Sequence, residues 1–111
     1  MNIFSILNIN TKKELKGDKE FIVIYANNEL FNLENQNYFK SFIEENLSKG
    51  FYNFEIDMKG VSIITSSGLG ILISLLNKIK QKDGILNLVN LSEKIYKIFS
   101  ITRLHLVFNI K

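Results

Sequence analysis

The sequence predicts one α/β domain with a mostly parallel sheet of about four or five strands, an N-terminal hairpin and flanking helices. Two observations support this prediction. Apolar or alternating segments typical of strands are separated by segments whose apolar residues recur at every third or fourth position, as on one helix face. Strands separated by helices of about ten to fifteen residues pair in parallel through right-handed crossovers. Because no linker or repeat interrupts the 111 residues, we expect a single domain over residues 1–111.

The first 20 residues are expected to form an extended segment and a turn. Residues 3–15 have an irregular extended pattern, and the sequence KGDK at 16–19 is a turn signal. Residues 20–26, EFIVIYA, are rich in β-branched and aromatic side chains and indicate a buried strand. Together these segments predict the N-terminal hairpin.

A helix is predicted to begin at Asn32 or Glu34 and to end before Gly50, which suits the left-handed position after a helix. Its apolar residues have helical spacing and are Phe39, Phe42, Ile43 and Leu47. Residues 51–57, FYNFEID, alternate between apolar and polar side chains and therefore predict the next strand.

The segment after Ser67 predicts a second helix, followed by two strands and a third helix. The apolar stripe of the second helix is predicted to consist of Leu69, Leu72, Ile73, Leu76 and Ile79. Strands are expected at residues 85–89 and 104–108. Ser92 is expected to cap the helix between them, whose apolar residues are Ile95, Ile98 and Phe99.

Composition and charge argue against several classes of function. The chain has no cysteine, so disulfides and thiolate chemistry are excluded and a cytoplasmic location is favoured. The net charge of +3 comes from scattered lysines rather than a basic patch with interleaved aromatics, which argues against a nucleic-acid partner. No run approaches the roughly 18 apolar residues of a membrane span, so we expect no membrane partner.

The sequence ITSSGLG at residues 64–70 places two serines where a strand gives way to a helix. Functional groups gather at such positions in parallel sheets. A serine nucleophile needs a base and an orienting acid, but the chain has a single histidine, His105, and no G-x-S-x-G pattern. The motif also lacks the Lys-Ser/Thr ending of a P-loop. We therefore expect neither an enzyme nor a bound cofactor or metal.

Two roles remain open for the serines. Ser66 or Ser67 can cap the helix by accepting a hydrogen bond from a free backbone amide. Alternatively, one of them is modified from outside, because a helix N-terminus stabilises an added phosphate through its amides and its dipole. Such a phosphate would change the charge of the surface without disturbing the fold.

The stretch FEIDMKGVSIITSSGLGILISLLNKIKQKDGILNLVNLS resembles the STAS domain of the bacterial anti-sigma factor antagonists, and the resemblance extends from residue 21 to residue 108. It implies a partner that is both an anti-sigma factor and a GHKL-type serine kinase, and a PP2C-type phosphatase that reverses phosphorylation. It places the phosphoacceptor at Ser67, with Ser66 as the alternative. Asp57, Gly60 and Gly70 match other positions of the family pattern.

Three positions depart from that pattern. Thr65 stands where the family has an aspartate directly before the serine pair. Upstream, the family's G-E-L-D is the sequence NELF, with Asn28 replacing the glycine and Phe31 replacing the aspartate. The departures leave an alternative function open, namely a STAS scaffold or accessory subunit of a signalling or transporter complex, without phosphorylation. An enzyme or a small-ligand binder is a third hypothesis.

The helix after Ser67 also offers a candidate partner surface. Ile71 and Leu75 fall away from the predicted apolar stripe, so we expect them to be exposed, unless neighbouring elements cover the helix on two sides. The expected partner-binding residues are Ser66, Gly68, Leu69, Ile71 and Leu75. The chain itself is expected to be a monomer or a weak dimer.

Overall fold

A computed structural model describes residues 3–111 of the chain. It contains one sheet of five strands, which lie side by side in the order in which they occur in the sequence. The strands are β1 Asn10–Lys16, β2 Lys19–Asn27, β3 Asn53–Gly60, β4 Ile85–Val89 and β5 Asn109–Ile110. β1 and β2 form an antiparallel hairpin, and the remaining neighbours are parallel. The predicted α/β fold, with its hairpin and mostly parallel sheet, is confirmed.

Residues 3–111 contain four α-helices and three 3-10 turns, of which α1 precedes β1 and the others connect strands. The helices are α1 Ile3–Ile6, α2 Gln36–Ser48, α3 Ser66–Lys80 and α4 Glu93–Ile101. The 3-10 turns are Asn28–Phe31, Leu33–Asn35 and Leu104–Leu106. Ser92 caps α4 as predicted, since its hydroxyl accepts from the Ile95 amide at 3.2 Å. Among residues 3–111 no helix combines the length and the apolar character needed to cross a bilayer.

Three predicted segments differ from the structure. Residues 3–6 are helical rather than extended. α2 begins at Gln36, after Asn32 and Glu34, because the preceding residues form two 3-10 turns. The predicted strand 104–108 is wrong: Arg103 adopts a left-handed φ of 62°, the chain turns into Leu104–Leu106, and only Asn109–Ile110 pairs with β4.

The helices α2, α3 and α4 cover one face of the sheet. Each helix lies in a connection from one strand to its parallel neighbour, and all three connections step across the sheet in the same direction. Right-handed crossovers then place all three helices on the same side of the sheet. The strands contribute alternate residues to the resulting core, namely Ile22, Ile24, Phe54, Ile56, Leu86 and Leu88. Completely buried helical partners are Phe39, Ile43, Leu72, Leu75 and Phe99. Within residues 3–111, no helix covers the opposite face of the sheet.

Charged side chains mark the β1 edge of the sheet. Glu14 contacts Lys12 at 2.8 Å and Lys16 at 3.2 Å, and Lys16 also contacts Glu55 on β3 at 3.4 Å. The hydrogen bond from Lys12, followed by that from Lys16, holds the pKa of Glu14 below its usual value. An edge strand with this density of charge resists pairing with a strand of another molecule.

Candidate functional site

The serine motif lies at the carboxyl ends of β2 and β3, where two connections meet. The register between these strands shifts after Tyr25, so that Asn27 faces Gly60. A Cβ atom at Gly60 would lie 2.6 Å from the Ala26 carbonyl oxygen, so only glycine permits this approach. The close approach brings residues 28–35, which precede α2, beside residues 61–65, which precede α3.

Thr65 caps the helix that carries the serines. Its backbone is extended at φ −98° and ψ 172°, and its Oγ1 accepts a hydrogen bond from the Gly68 amide at 3.3 Å. Of the two roles left open for the serines, that of helix cap is therefore excluded, because the chain already turns helical at Ser66. The two serines occupy the first turn of α3 without serving as its cap.

Both serines are exposed at the N-terminal end of α3. The first amides of an α-helix have no acceptor within the helix, and the helix dipole places partial positive charge at this end. An anion carried by Ser66 or Ser67 would thus lie in a favourable electrostatic environment. Thr65 Oγ1 engages the amide of Gly68 and leaves the earlier amides of the turn available.

A shallow cleft distinguishes Ser67 from Ser66. It has a volume of about 520 Å³ and is lined by Phe31, Asn32, Leu33, Glu34, Thr65 and Ser67. Ser67 lies on its wall, whereas Ser66 is not among the lining residues. Glu34 is the acidic residue of this lining, although neither of the family's two aspartates is present. Sequence reasoning did not identify Glu34 or Leu33 as parts of the site.

Phe31 packs beneath the first turn of α3, against Gly68. Phe31 is buried at 4% exposure and packs edge-on against Phe39, with ring centroids 5.9 Å apart. A Cβ atom on Gly68 would lie 2.9 Å from Ile64 Cγ1 and 3.3 Å from Phe31 Cβ. Gly68 is therefore required for packing. Phe31, which replaces an aspartate of the family pattern, anchors its segment in the core.

The predicted partner residues on α3 are mostly buried. Ile71 is 2% exposed and Leu75 is 0% exposed, so the expectation that they are open to a partner is wrong. α2 covers this flank of the helix, as the 2.8 Å ion pair between Lys78 and Glu44 shows. The other two predicted contact residues, Gly68 and Leu69, also lie buried. Ser66 alone among the predicted partner-binding residues is exposed.

The exposed face of α3 carries a different set of residues. Ile73, predicted to belong to the core stripe, is 36% exposed, and Gly70 and the two serines share its side of the helix. Two large apolar side chains stand on the adjoining connections, Leu33 at 61% exposure and Ile63 at 60%. We call the surface formed by Leu33, Ile63, Ser66, Ser67, Gly70 and Ile73 the Ser67 face. The exposure of its apolar members could not be predicted from the sequence, because it depends on the packing of segments distant in the chain.

The other residues singled out from the sequence lie outside this face. Asp57 Oδ1 accepts a hydrogen bond from the Lys59 amide at 3.0 Å, and Asp57 lines a separate depression with Tyr25 and Gly60. His105 lies beside the Tyr96 ring, with centroids 6.2 Å apart. In the part of the chain that the structure describes, no three histidine, aspartate or glutamate side chains converge as metal ligands would.

Comparison with known proteins matches this arrangement to a family. The family model for the STAS domain matches residues 12–111. The chain belongs to the STAS domain family. A Thermotoga maritima protein, named provisionally as an anti-sigma factor antagonist, is 31% identical over 90 residues, which cover 80% of each chain. The anti-sigma-B factor antagonist of Bacillus subtilis is 36% identical over 58 residues, or 52% of this chain and 53% of that one.

Solved structures share the fold of this STAS domain. The NMR structure of the Thermotoga maritima protein TM1081 has a TM-score of 0.76 at 29% identity, covering 89% of this chain and 78% of that chain. The anti-sigma factor antagonist SpoIIAA in its unphosphorylated form has a TM-score of 0.64 at 16% identity, covering 92% and 87%. The second likeness concerns the fold alone. The predicted family and its α/β fold are thus confirmed.

Proposed function

We propose that this STAS domain is a cytoplasmic anti-sigma factor antagonist that phosphorylation of Ser67 switches off. Its partner is an anti-sigma factor that is also a GHKL-type serine kinase, and a PP2C-type phosphatase restores the unmodified form. The observation that carries the proposal is the exposed Ser67 hydroxyl at the N-terminus of α3, where Thr65 rather than Ser67 provides the cap. Relatives named as anti-sigma factor antagonists support the general role.

A phosphate on Ser67 is compatible with the fold. It adds a charge of about −1.5 to −2, which the first-turn amides and the helix dipole stabilise. The Ser67 side chain is exposed, so the added group needs no rearrangement of the core. SpoIIAA, which shares the fold, has been solved in a phosphorylated form as well as an unphosphorylated one. The same event on this chain would change its surface and leave its architecture intact.

The phosphate would act on the partner through the Ser67 face. Leu33, Ile63 and Ile73 supply exposed apolar surface around the serine, as expected of a protein contact. Glu34, which carries a negative charge, lines the same cleft as Ser67. A dianion added there would lie within the contact, where it would have to lose its hydration or meet like charge. We therefore expect the modification to release the anti-sigma factor.

Phosphorylation can be tested directly by intact mass. We expect incubation with ATP and the GHKL-type kinase to add one phosphate, which peptide mapping locates at Ser67. The Ser67→Ala variant should remain unmodified, whereas the matched Ser66→Ala variant should be modified like the unaltered chain. Modification at Ser66 alone would move the acceptor to the alternative residue. An unchanged mass together with stable binding would instead establish the scaffold function that the Thr65 and Phe31 substitutions leave open.

Gly70 provides an independent test of the Ser67 face. It lies within α3, and a Cβ atom built on it meets nothing within 4 Å, so the packing of this chain does not require glycine there. Alanine is favoured over glycine in a helix interior by about 1 kcal/mol. Gly70→Ala should therefore raise the free energy of unfolding by about 0.5–1 kcal/mol in urea titrations.

The same substitution should weaken binding to the anti-sigma factor several-fold, because the added methyl group stands where the partner approaches. Asn77→Ala, on the same exposed side of α3 but farther from Ser67, is the matched control and should bind normally. Unchanged affinity in Gly70→Ala would remove Gly70 from the docking surface.

A further inference from the structure

The Asn28 side chain links the two connections beside the site, residues 28–35 and residues 61–65. Asn28 Oδ1 accepts hydrogen bonds from the backbone amides of Ser62 at 2.9 Å and Ile63 at 3.3 Å. Asn28 Nδ2 donates to the Ser62 hydroxyl at 3.0 Å. Both ends of the amide are therefore used on residues 61–65, which we call the acceptor loop. The contact spans 34 positions of sequence at its shortest.

The backbone segment that carries Asn28 is fixed by hydrogen bonds and by burial. It begins the 3-10 turn Asn28–Phe31, which Asn27 caps by accepting the Leu30 amide at 3.1 Å. Asn27 also donates from its side chain to the Leu7 carbonyl oxygen at 2.9 Å. Leu30 and Phe31 anchor the turn in the core at 1% and 4% exposure. The Asn28 amide thus projects from a segment that is fixed at both ends.

The acceptor loop leads directly into the cap of α3. Its last two residues are already fixed, since Ile64 is 8% exposed and Thr65 bonds to Gly68. Its middle residues, Ser62 and Ile63, are exposed and are tied to the rest of the protein by the Asn28 side chain. Water can replace these bonds when Asn28 is removed, so the cost in stability is small. The main consequence is that Ser62 and Ile63, in the loop that leads to Ser67, become less ordered.

We propose that Asn28 is a positioning residue that holds the acceptor loop so that Ser67 is presented to the kinase in one geometry. The inference rests on the proposed function of Ser67. The family pattern that the sequence resembles has glycine at this position, and glycine has no side chain for these bonds. A family member with glycine at this position therefore cannot form this link between the two connections.

Hydrogen exchange tests the loop without any kinase. Asn28→Ala removes all three bonds, whereas Asn28→Asp keeps an oxygen that accepts from the Ser62 and Ile63 amides. We expect these two amides to exchange about tenfold faster in Asn28→Ala than in the unaltered chain, and within about twofold of it in Asn28→Asp. Equal exchange in all three proteins would overturn the proposal.

Phosphorylation kinetics test the effect on Ser67. With the GHKL-type kinase that modifies the unaltered chain, kcat/KM for Asn28→Ala should fall about tenfold, mainly through kcat, because the hydroxyl is poorly oriented rather than unbound. Asn28→Asp should restore most of the rate, and Asn37→Ala, an exposed asparagine of α2, should leave it unchanged. An unaltered rate for Asn28→Ala, or equal losses in the alanine and aspartate variants, would contradict the positioning role. If the kinase leaves the unaltered chain unmodified, the proposed function fails, and the exchange rates alone decide whether Asn28 orders the loop.

Discussion

Replacing Leu75 with alanine should lower the free energy of unfolding by about 2–5 kcal/mol. The Leu75 side chain is 0% exposed, so the truncation removes buried apolar contacts and leaves a cavity between α3 and its neighbours. Urea unfolding followed by circular dichroism gives the change from the midpoint and the slope together. Affinity for the anti-sigma factor should change little under conditions where the variant remains folded, because Leu75 cannot reach a partner.

The matched control is Ile73→Ala on the same helix. Ile73 is 36% exposed, so its truncation should change the free energy of unfolding by no more than about 0.5 kcal/mol. This variant, unlike Leu75→Ala, should weaken binding to the anti-sigma factor. The opposite pattern, with Leu75→Ala neutral for stability and Ile73→Ala strongly destabilising, would show that the assigned orientation of α3 is incorrect.

The orientation of α3 could not be predicted from its own residues. Apolar side chains occupy most positions from residue 69 to residue 76, so the helical period alone admits several buried stripes. The structure selects the stripe that includes Ile71 and Leu75 because α2 packs beside the sheet on that flank. That choice depends on contacts between elements distant in sequence.

Other parts of the fold follow from local signals. Strand Ile85–Val89 and the Ser92 cap of α4 are found where the sequence predicts them, since β-branched runs and capping residues act locally. The same local rules do not identify the cap of α3, where several possible capping residues are adjacent. Thr65 stands next to two serines, and each of the three residues is of a type that can cap a helix. Only the backbone conformation decides between them, because the residue that remains extended becomes the cap.

Placing a negative charge at Ser67 should weaken binding to the anti-sigma factor by about tenfold, or about 1.4 kcal/mol, in the Ser67→Asp variant. The added carboxylate joins Glu34 in the cleft that Ser67 lines, and burial of the cleft by a partner would desolvate both groups. Titration calorimetry with the purified anti-sigma factor measures the dissociation constant.

Two controls separate charge from size and position. Ser67→Asn has nearly the same shape as Ser67→Asp without the charge, and it should retain most of the affinity. Ser66→Asp places the same charge one residue earlier, outside the cleft lining, and its effect should be smaller. Equal weakening by the asparagine and aspartate variants would mean that size rather than charge disrupts the contact.

The most direct measurement compares the anti-sigma factor's affinity for the unmodified chain and for the same chain carrying a phosphate on Ser67. We expect the phosphorylated chain to bind about 30- to 100-fold more weakly while unfolding at nearly the same urea concentration, since the dianion lies on an exposed helix N-terminus. Treatment with a PP2C-type phosphatase should restore the original affinity. Equal dissociation constants for the two forms would contradict a switch at Ser67.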